Sequence, residues 1–206
     1  SKSLDDTSAF LGTRADKNFP QDSLNYRAER SLSSFDMPQR LTVAYAYTLG
    51  GPYRWVRQVE LRGIVTAQSG QPFTPLLRFD NSNTGNSGGI FGSDRPDVLR
   101  HPRLPNRGPD RWFDTSAFAV PARFSFGSAG RSILRGPGLA SFDLALGRRF
   151  PLGERLALTL DAQLFNLFNR TQFDLPERFA DEPATFGRIF SAKPPRQIQL
   201  ALRLAF

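Results

Sequence analysis

The sequence predicts an all-β fold, an antiparallel transmembrane β-barrel segment of about five to six strands with short turns at one end and long loops at the other. Three observations predict it. Apolar and polar residues alternate with period two along five stretches, the links between those stretches are alternately short and long, and aromatic residues stand where strands meet the short links. A period of two places one oily and one wet face on each strand.

In chain order, the first strand is expected near 41–49, where Leu41, Val43, Tyr45 and Tyr47 oppose Thr42, Ala44 and Ala46. The second is expected near 54–66, with Val59, Leu61 and Val65 against Gln58, Glu60 and Arg62. A turn at Leu49-Gly50-Gly51-Pro52 joins them. The third, near 139–150, sets Phe142, Leu144 and Leu146 against Ser141, Asp143, Ala145 and Gly147. The fourth, near 155–167, follows a second tight turn at Pro151-Leu152-Gly153-Glu154 and carries Leu156, Leu158, Leu160, Ala162 and Leu164 on its apolar face. The fifth, near 196–206, is the most regular: Ile198, Leu200, Leu202, Leu204 and Phe206 alternate with Gln197, Gln199, Ala201, Arg203 and Ala205. Residues 1–4 are expected to be the stub of a sixth.

The remaining links are long, near 5–37, 67–138 and 168–195. Strict alternation of short and long links is the pattern of a barrel with tight periplasmic turns and long outer loops. A compact soluble domain rarely contains structureless loops as long as the second of these. The aromatic positions fit the same orientation, since Tyr47, Trp55, Phe150 and Phe206 would share the apolar face at the short-turn end and form a membrane-interface girdle. Any one of them alone would serve as well in the core of a β-sandwich; four at one level favour a membrane.

Composition agrees mainly by exclusion. Among 206 residues there are no Cys, 1 His and 19 Phe, with 27 basic and 19 acidic side chains giving a formal charge of +8. Disulfide scaffolds, thiol nucleophiles and metal sites with two imidazoles are therefore excluded. No stretch approaches the roughly 18 apolar residues of a membrane-crossing helix, which says nothing against barrel strands. The chain opens without an initiator Met or a signal-peptide pattern, so a piece of a longer protein or a processed chain is expected.

Several ordered motifs carry a family resemblance. They are Thr66-Ala67-Gln68-Ser69-Gly70-Gln71-Pro72-Phe73, Arg95-Pro96-Asp97, Arg111-Trp112-Phe113-Asp114-Thr115-Ser116-Ala117-Phe118, and the run from Phe126 to Gly138 that reads Phe-Gly-Ser-Ala-Gly-Arg-Ser-Ile-Leu-Arg-Gly-Pro-Gly. Phe142-Asp143-Leu144, Phe165-Asn166-Leu167-Phe168-Asn169 and Pro195-Arg196-Gln197-Ile198-Gln199 follow. Together they resemble the C-terminal barrel portion of the TonB-dependent receptors, particularly the Oar-like group with a carboxypeptidase-regulatory-like N-terminal domain. The resemblance implies a gated outer-membrane transporter of about 22 strands around a plug, of which this chain would be the C-terminal part. It also implies location in the bacterial outer membrane, contact with outer-membrane lipid and lipopolysaccharide, a TonB complex acting through the missing N-terminal part, and an unknown extracellular ligand. A different class, an outer-membrane adhesion or structural barrel without active transport, is the alternative.

Candidate sites are few. Ile198, Leu200, Leu202, Leu204 and Phe206 resemble the signal by which the barrel-assembly machinery pairs with a strand edge, and the same residues would also serve as a plain closing strand. The loop from Asp80 to Gly89 fits a calcium template at Asp80 and Gly85 but places Phe91 where a bidentate Glu is needed, so a flexible loop is expected. Asn169-Arg170-Thr171 is read as a chance sequon. Arg95, Arg100, Arg103, Arg107 and Arg111, near His101, are read as solvated cations, with lipopolysaccharide or an acidic ligand as competing partners. Asp161 and Arg155, with Asp143 and Arg149, are expected to face a wet lumen. No catalytic, cofactor-binding or metal-binding residues are expected, no cofactor, no enzymatic activity and no nucleic-acid partner.

Overall fold

The computed structural model describes residues 2–5, 20–50, 58–85 and 94–206. In chain order its strands are β1 (Leu4–Asp5), β2 (Ser31–Leu32), β3 (Arg40–Leu49), β4 (Val59–Gln68), β5 (Pro72–Phe73), β6 (Asp97–Val98), β7 (Phe118–Ala119), β8 (Leu134–Arg135), β9 (Leu139–Pro151), β10 (Ala157–Phe165) and β11 (Gln197–Ala205). Short 3-10 turns at Tyr26–Glu29 and Thr115–Ala117 are the helical elements among the described residues. None of them is long or apolar enough to cross a membrane.

The chain divides into two compact units. One, built from Arg40–Gln68, Leu139–Gln172 and Lys193–Phe206, is an open antiparallel sheet of order β11-β10-β9-β4-β3. Its strands have 10, 10, 13, 9 and 9 residues in chain order, the length of tilted strands that cross a bilayer. The register is unbroken. Tyr45, Gly63, Leu144, Leu164 and Ile198 form one row across the sheet, and Ala46, Arg62, Ala145, Gln163 and Gln199 form the next. Neighbouring rows point to opposite faces, so the sequence alternation becomes one apolar and one polar surface.

The glycine in the apolar row has a purpose. Tyr45 lies over Gly63, and a Cβ there would run into both the phenol and the Asp143 carbonyl. Such an aromatic cover protects an otherwise bare stretch of backbone. Between β9 and β10 the Leu152 N–H bonds the Leu156 carbonyl at 2.8 Å, closing a tight hairpin. The link from β3 to β4 runs over residues 50–58, and residues 51–57 lie outside the described part.

The other unit, built from Ser1–Gln39, Ser69–Gly138 and Phe173–Ala192, comes from the segments expected as loops. It has its own core of Phe73, Phe113, Ala117, Phe118, Leu134 and Phe186. The Phe113 ring stands 5.0 Å from Phe186 and 5.8 Å from Phe118, both edge-on, the preferred arrangement of aromatic quadrupoles. Two-residue pairings β1-β2, β5-β8 and β6-β7 tie the segments together. Two expectations are corrected here. Leu4, the end of the expected stub, pairs with Leu32 rather than joining the large sheet, and the described parts of the long links, expected as loops, share a packed core.

Candidate functional site

The apolar face of the large sheet is the first functional surface. Leu41, Val43, Tyr45 and Tyr47 of β3, Phe142 of β9, Leu160 of β10 and Ile198, Leu200, Leu202 and Leu204 of β11 are all exposed on it, Leu200 to 72% and Leu202 to 69%. Among the described residues of its own unit the sheet has no second layer to cover them. So large a continuous apolar surface, built from strands of bilayer length, is stable only against lipid. Arg148 shares this face near the hairpin end, with its guanidinium 4.5 Å from the Phe150 ring, an arrangement suited to an interface where a long side chain can reach headgroups.

Tyr47 and Phe150 stand on that face in the last residues of β3 and β9 before their short links. Phe206 follows the end of β11 and is 99% exposed, whereas Trp55 lies outside the described residues. β11 is an edge strand, paired to β10 on one side with Leu164↔Ile198, Ala162↔Leu200, Leu160↔Leu202 and Leu158↔Leu204. Among the described residues its other edge has no neighbouring strand in the sheet, and the same holds for β3. Free edges of this kind accept a further strand through backbone hydrogen bonds.

The polar face is organised around an ion pair. Arg62 of β4 reaches over β9 to Asp161 of β10 at 2.8 Å, and Glu60 lies 3.9 Å from the same guanidinium. A concavity of about 930 Å³ opens beside them, with Thr48, Arg149, Arg155 and Thr159 on its walls. Arg155 lines it from the turn before β10 rather than from the strand, a correction to its expected place. Asp143 does not stand free. It accepts from the Asn166 N–H at 2.8 Å and the Ser141 hydroxyl at 3.1 Å, anchoring the turn that ends β10. In that turn Asn166 and Asn169 both adopt positive φ, and the Asn169 carboxamide accepts from the Arg196 N–H. The Phe-Asn-Leu-Phe-Asn motif is thus a strand terminator, because Asn tolerates this backbone region better than most residues.

The unit built from the long segments carries most of the buried charge. Arg95, expected in solvent, is buried against Glu29, bonds the Ala129 carbonyl at 3.1 Å and is flanked by Gln21. Arg135 pairs with Asp36 at 2.8 Å, and the Ser3 N–H together with this guanidinium holds the Asp36 carboxyl below the usual carboxylate range. Arg100 and Arg111, expected to be solvated, keep more than half of their side chains in solvent while converging on Asp114 at 2.8 and 2.6 Å. With the Ser116 hydroxyl as the first cause and Arg100 next, the Asp114 carboxyl is lowered to about 2. It also caps the Thr115–Ala117 turn by accepting from the Ser116 N–H. Sequence reasoning missed Glu29 and Asp36 because their partners lie 66 and 99 residues away. The local Asp114-Thr115-Ser116 sequence is a capping signal that could have been read.

The Asp80 loop has a plain structural role in its described part. The carboxylate accepts from the Ser82 hydroxyl and from the Thr84 and Gly85 N–H groups, so its oxygens are already engaged by its own turn. Backbone donation from the turn holds the Asp80 carboxyl low. Residues 86–91 of the calcium template, Phe91 included, lie outside the described residues.

An antiparallel sheet of bilayer-length strands with a bare apolar face and a charged inner face defines a transmembrane β-barrel wall. The chain belongs to the outer membrane beta barrel domain family, whose model matches residues 1–199. It is therefore a protein of the bacterial outer membrane. No curated protein and no solved structure matches it.

Proposed function

We propose that the chain forms part of the barrel wall and ligand-facing loops of an Oar-like TonB-dependent receptor, which takes up an unidentified extracellular ligand with energy from the TonB complex. The observation that carries this reading is the packed unit made by the three long segments. A barrel that merely fills the membrane has no need for an aromatic core and buried ion pairs in its connections, whereas a receptor needs loops that hold a fixed shape. The ordered motifs from Thr66 to Gln199 support the same family.

In this reading, further strands pair with the free edges of β3 and β11, since open edges in hydrocarbon would leave backbone groups unsatisfied at several kcal/mol each. The barrel-assembly machinery engages β11 through Ile198, Leu200, Leu202, Leu204 and Phe206, and Tyr47, Trp55, Phe150 and Phe206 set the depth in the bilayer. Lipid and lipopolysaccharide surround the wall. The protein performs no catalysis and binds no nucleic acid; transport is its work.

The test is binding of the purified full-length protein to the periplasmic domain of TonB. Saturable binding that increases when the extracellular ligand is added is expected. Absence of any binding would remove energised uptake and leave an adhesion barrel.

A further inference from the structure

A small cleft in the unit built from the long segments has the chemistry of an anion site. It has a volume of about 260 Å³ and is walled by His101, Arg103, Arg107, Trp112, Ser132 and Ile133. Among the described residues no carboxylate lines it. The nearby acids are already engaged: Asp36 by Arg135, Asp110 by Arg188, and Asp114 by Arg100 and Arg111. Arg103 and Arg107 are exposed and, among the described residues, have no ion-pair partner.

The walls are held firmly. The Trp112 indole N–H donates to the Arg135 carbonyl at 2.8 Å, and its backbone N–H bonds the Gly187 carbonyl at 2.9 Å. The Arg107 guanidinium lies 5.7 Å from the centre of that indole, which positions it beside the cleft. The Pro102 carbonyl accepts from the Asp114 N–H, and Gly108 and Arg111 bond each other, so the stretch carrying His101, Arg103 and Arg107 is tied at both ends.

A further group points to the ligand. Ser132 lines the cleft, is 5% exposed, and its hydroxyl, itself almost fully covered, has no hydrogen-bond partner among the described residues. Buried hydroxyls are normally satisfied, and an orphan in a cleft is a place where an external group completes the bonding. Two guanidiniums bind a carboxylate or phosphate through charge-assisted hydrogen bonds. The indole and the Ile133 side chain offer an apolar wall, with the negative ring face suited to the C–H groups of a sugar. The volume falls just under the usual range for drug-sized ligands, enough for about one ring.

We infer that this cleft binds an acidic saccharide unit, one sugar ring bearing a carboxylate or phosphate, with Arg103 and Arg107 on the anion, Ser132 on a ring hydroxyl and Trp112 against the ring. The inference rests on the reading of this unit as ligand-facing loops and names the substrate class; it does not depend on energised uptake. The same chemistry occurs in a free acidic oligosaccharide and in the core sugars of lipopolysaccharide.

The test is calorimetric titration of the full-length protein in detergent with trigalacturonate, its neutral counterpart galactotriose, intact lipopolysaccharide and the delipidated core oligosaccharide. Binding of trigalacturonate or core oligosaccharide at least tenfold tighter than galactotriose is expected, and tighter binding of the core would identify lipopolysaccharide as the source. R103A/R107A should abolish the preference while heat-modifiable migration shows an intact fold. Ser132→Ala should weaken binding severalfold without lowering stability, because it removes a hydroxyl that has no partner in the protein. Equal affinity for the neutral sugar, unchanged binding by R103A/R107A, or binding to intact lipopolysaccharide alone would overturn the proposal. Acidic-sugar binding without any TonB interaction would leave the cleft assignment standing and overturn only the transport reading.

Discussion

Arg62 and Asp161 sit on strands that do not touch, yet their side chains meet at 2.8 Å above Gly147 of the strand between them. A Cβ at Gly147 would lie 2.8 Å from the Asp161 carboxylate and 3.1 Å from the guanidinium. The pair spans β4, β9 and β10 only because the middle position is bare. Breaking the pair and filling the gap should therefore differ. Asp161→Asn is expected to cost no more than about 1 kcal/mol, because Arg62 is 47% exposed and water screens the pair. Gly147→Val overfills the same place and is expected to cost about 1–3 kcal/mol. Thermal scans of the two variants in one detergent should place Gly147→Val below Asp161→Asn.

The two faces of β11 make a sharper comparison. Leu202 lies on the apolar face and its neighbour Ala201 on the polar one. A charge at mid-bilayer facing lipid costs about 2–4 kcal/mol, whereas a lumen-facing charge meets water. Leu202→Lys is expected to deplete the heat-modifiable folded form in outer-membrane fractions, and Ala201→Lys to leave it near wild type. Greater depletion by Ala201→Lys would mean that the face assignment is inverted, and equal depletion that the strand is not against lipid.

These faces were legible from sequence because a strand between lipid and water imposes a period of two, and Ile198, Leu200, Leu202 and Leu204 carry it without interruption. Arg148 breaks the pattern on β9: the alternation itself puts a cation on the face of Leu146 and Phe150, and the structure shows its guanidinium beside the Phe150 ring. The other unit gave no such signal. Its core residues Phe73, Phe113, Phe118 and Phe186 come from two-residue strands and irregular backbone, too short a run in either case for spacing to carry facing information. Arg95 reads as one of a run of cations until Glu29 is brought to it from 66 residues away. The cleft is half visible in the sequence: the cations near His101 stand out there, but the orphan Ser132 hydroxyl and the fixed indole are products of tertiary packing.

The aromatic core should be the point on which the second unit depends. Phe113 is 3% exposed and contacts Phe73, Phe118 and Phe186. Its truncation to Ala removes the shared partner of three rings and is expected to cost about 3–5 kcal/mol. Because the large sheet has its own register and its own apolar face, the loss should be local. Limited proteolysis of Phe113→Ala in detergent should cut within residues 69–138 while the strands keep their heat-modifiable migration. Loss of both together would show that the two units fold as one.

Acid should loosen the same unit through Asp114. Its carboxyl has an ordinary value of 3.8 in the unfolded chain and is lowered to about 2 in the folded one by Ser116 and Arg100. The unfolded state therefore binds the proton more readily, and stability falls as pH drops. The contribution is complete above about pH 4 and is lost progressively as pH approaches 2, amounting to about 1–2 kcal/mol once solvent screening is allowed for. Asp36, lowered by the Ser3 N–H and Arg135, acts in the same direction. Protease resistance of the unit, measured with an acid-active protease between pH 5 and pH 2, should fall across this window. Asp114→Asn cannot carry the charge, so it should start weaker at pH 5 and show a flatter decline. An Asp114→Asn profile parallel to wild type would mean that other carboxylates govern the acid response.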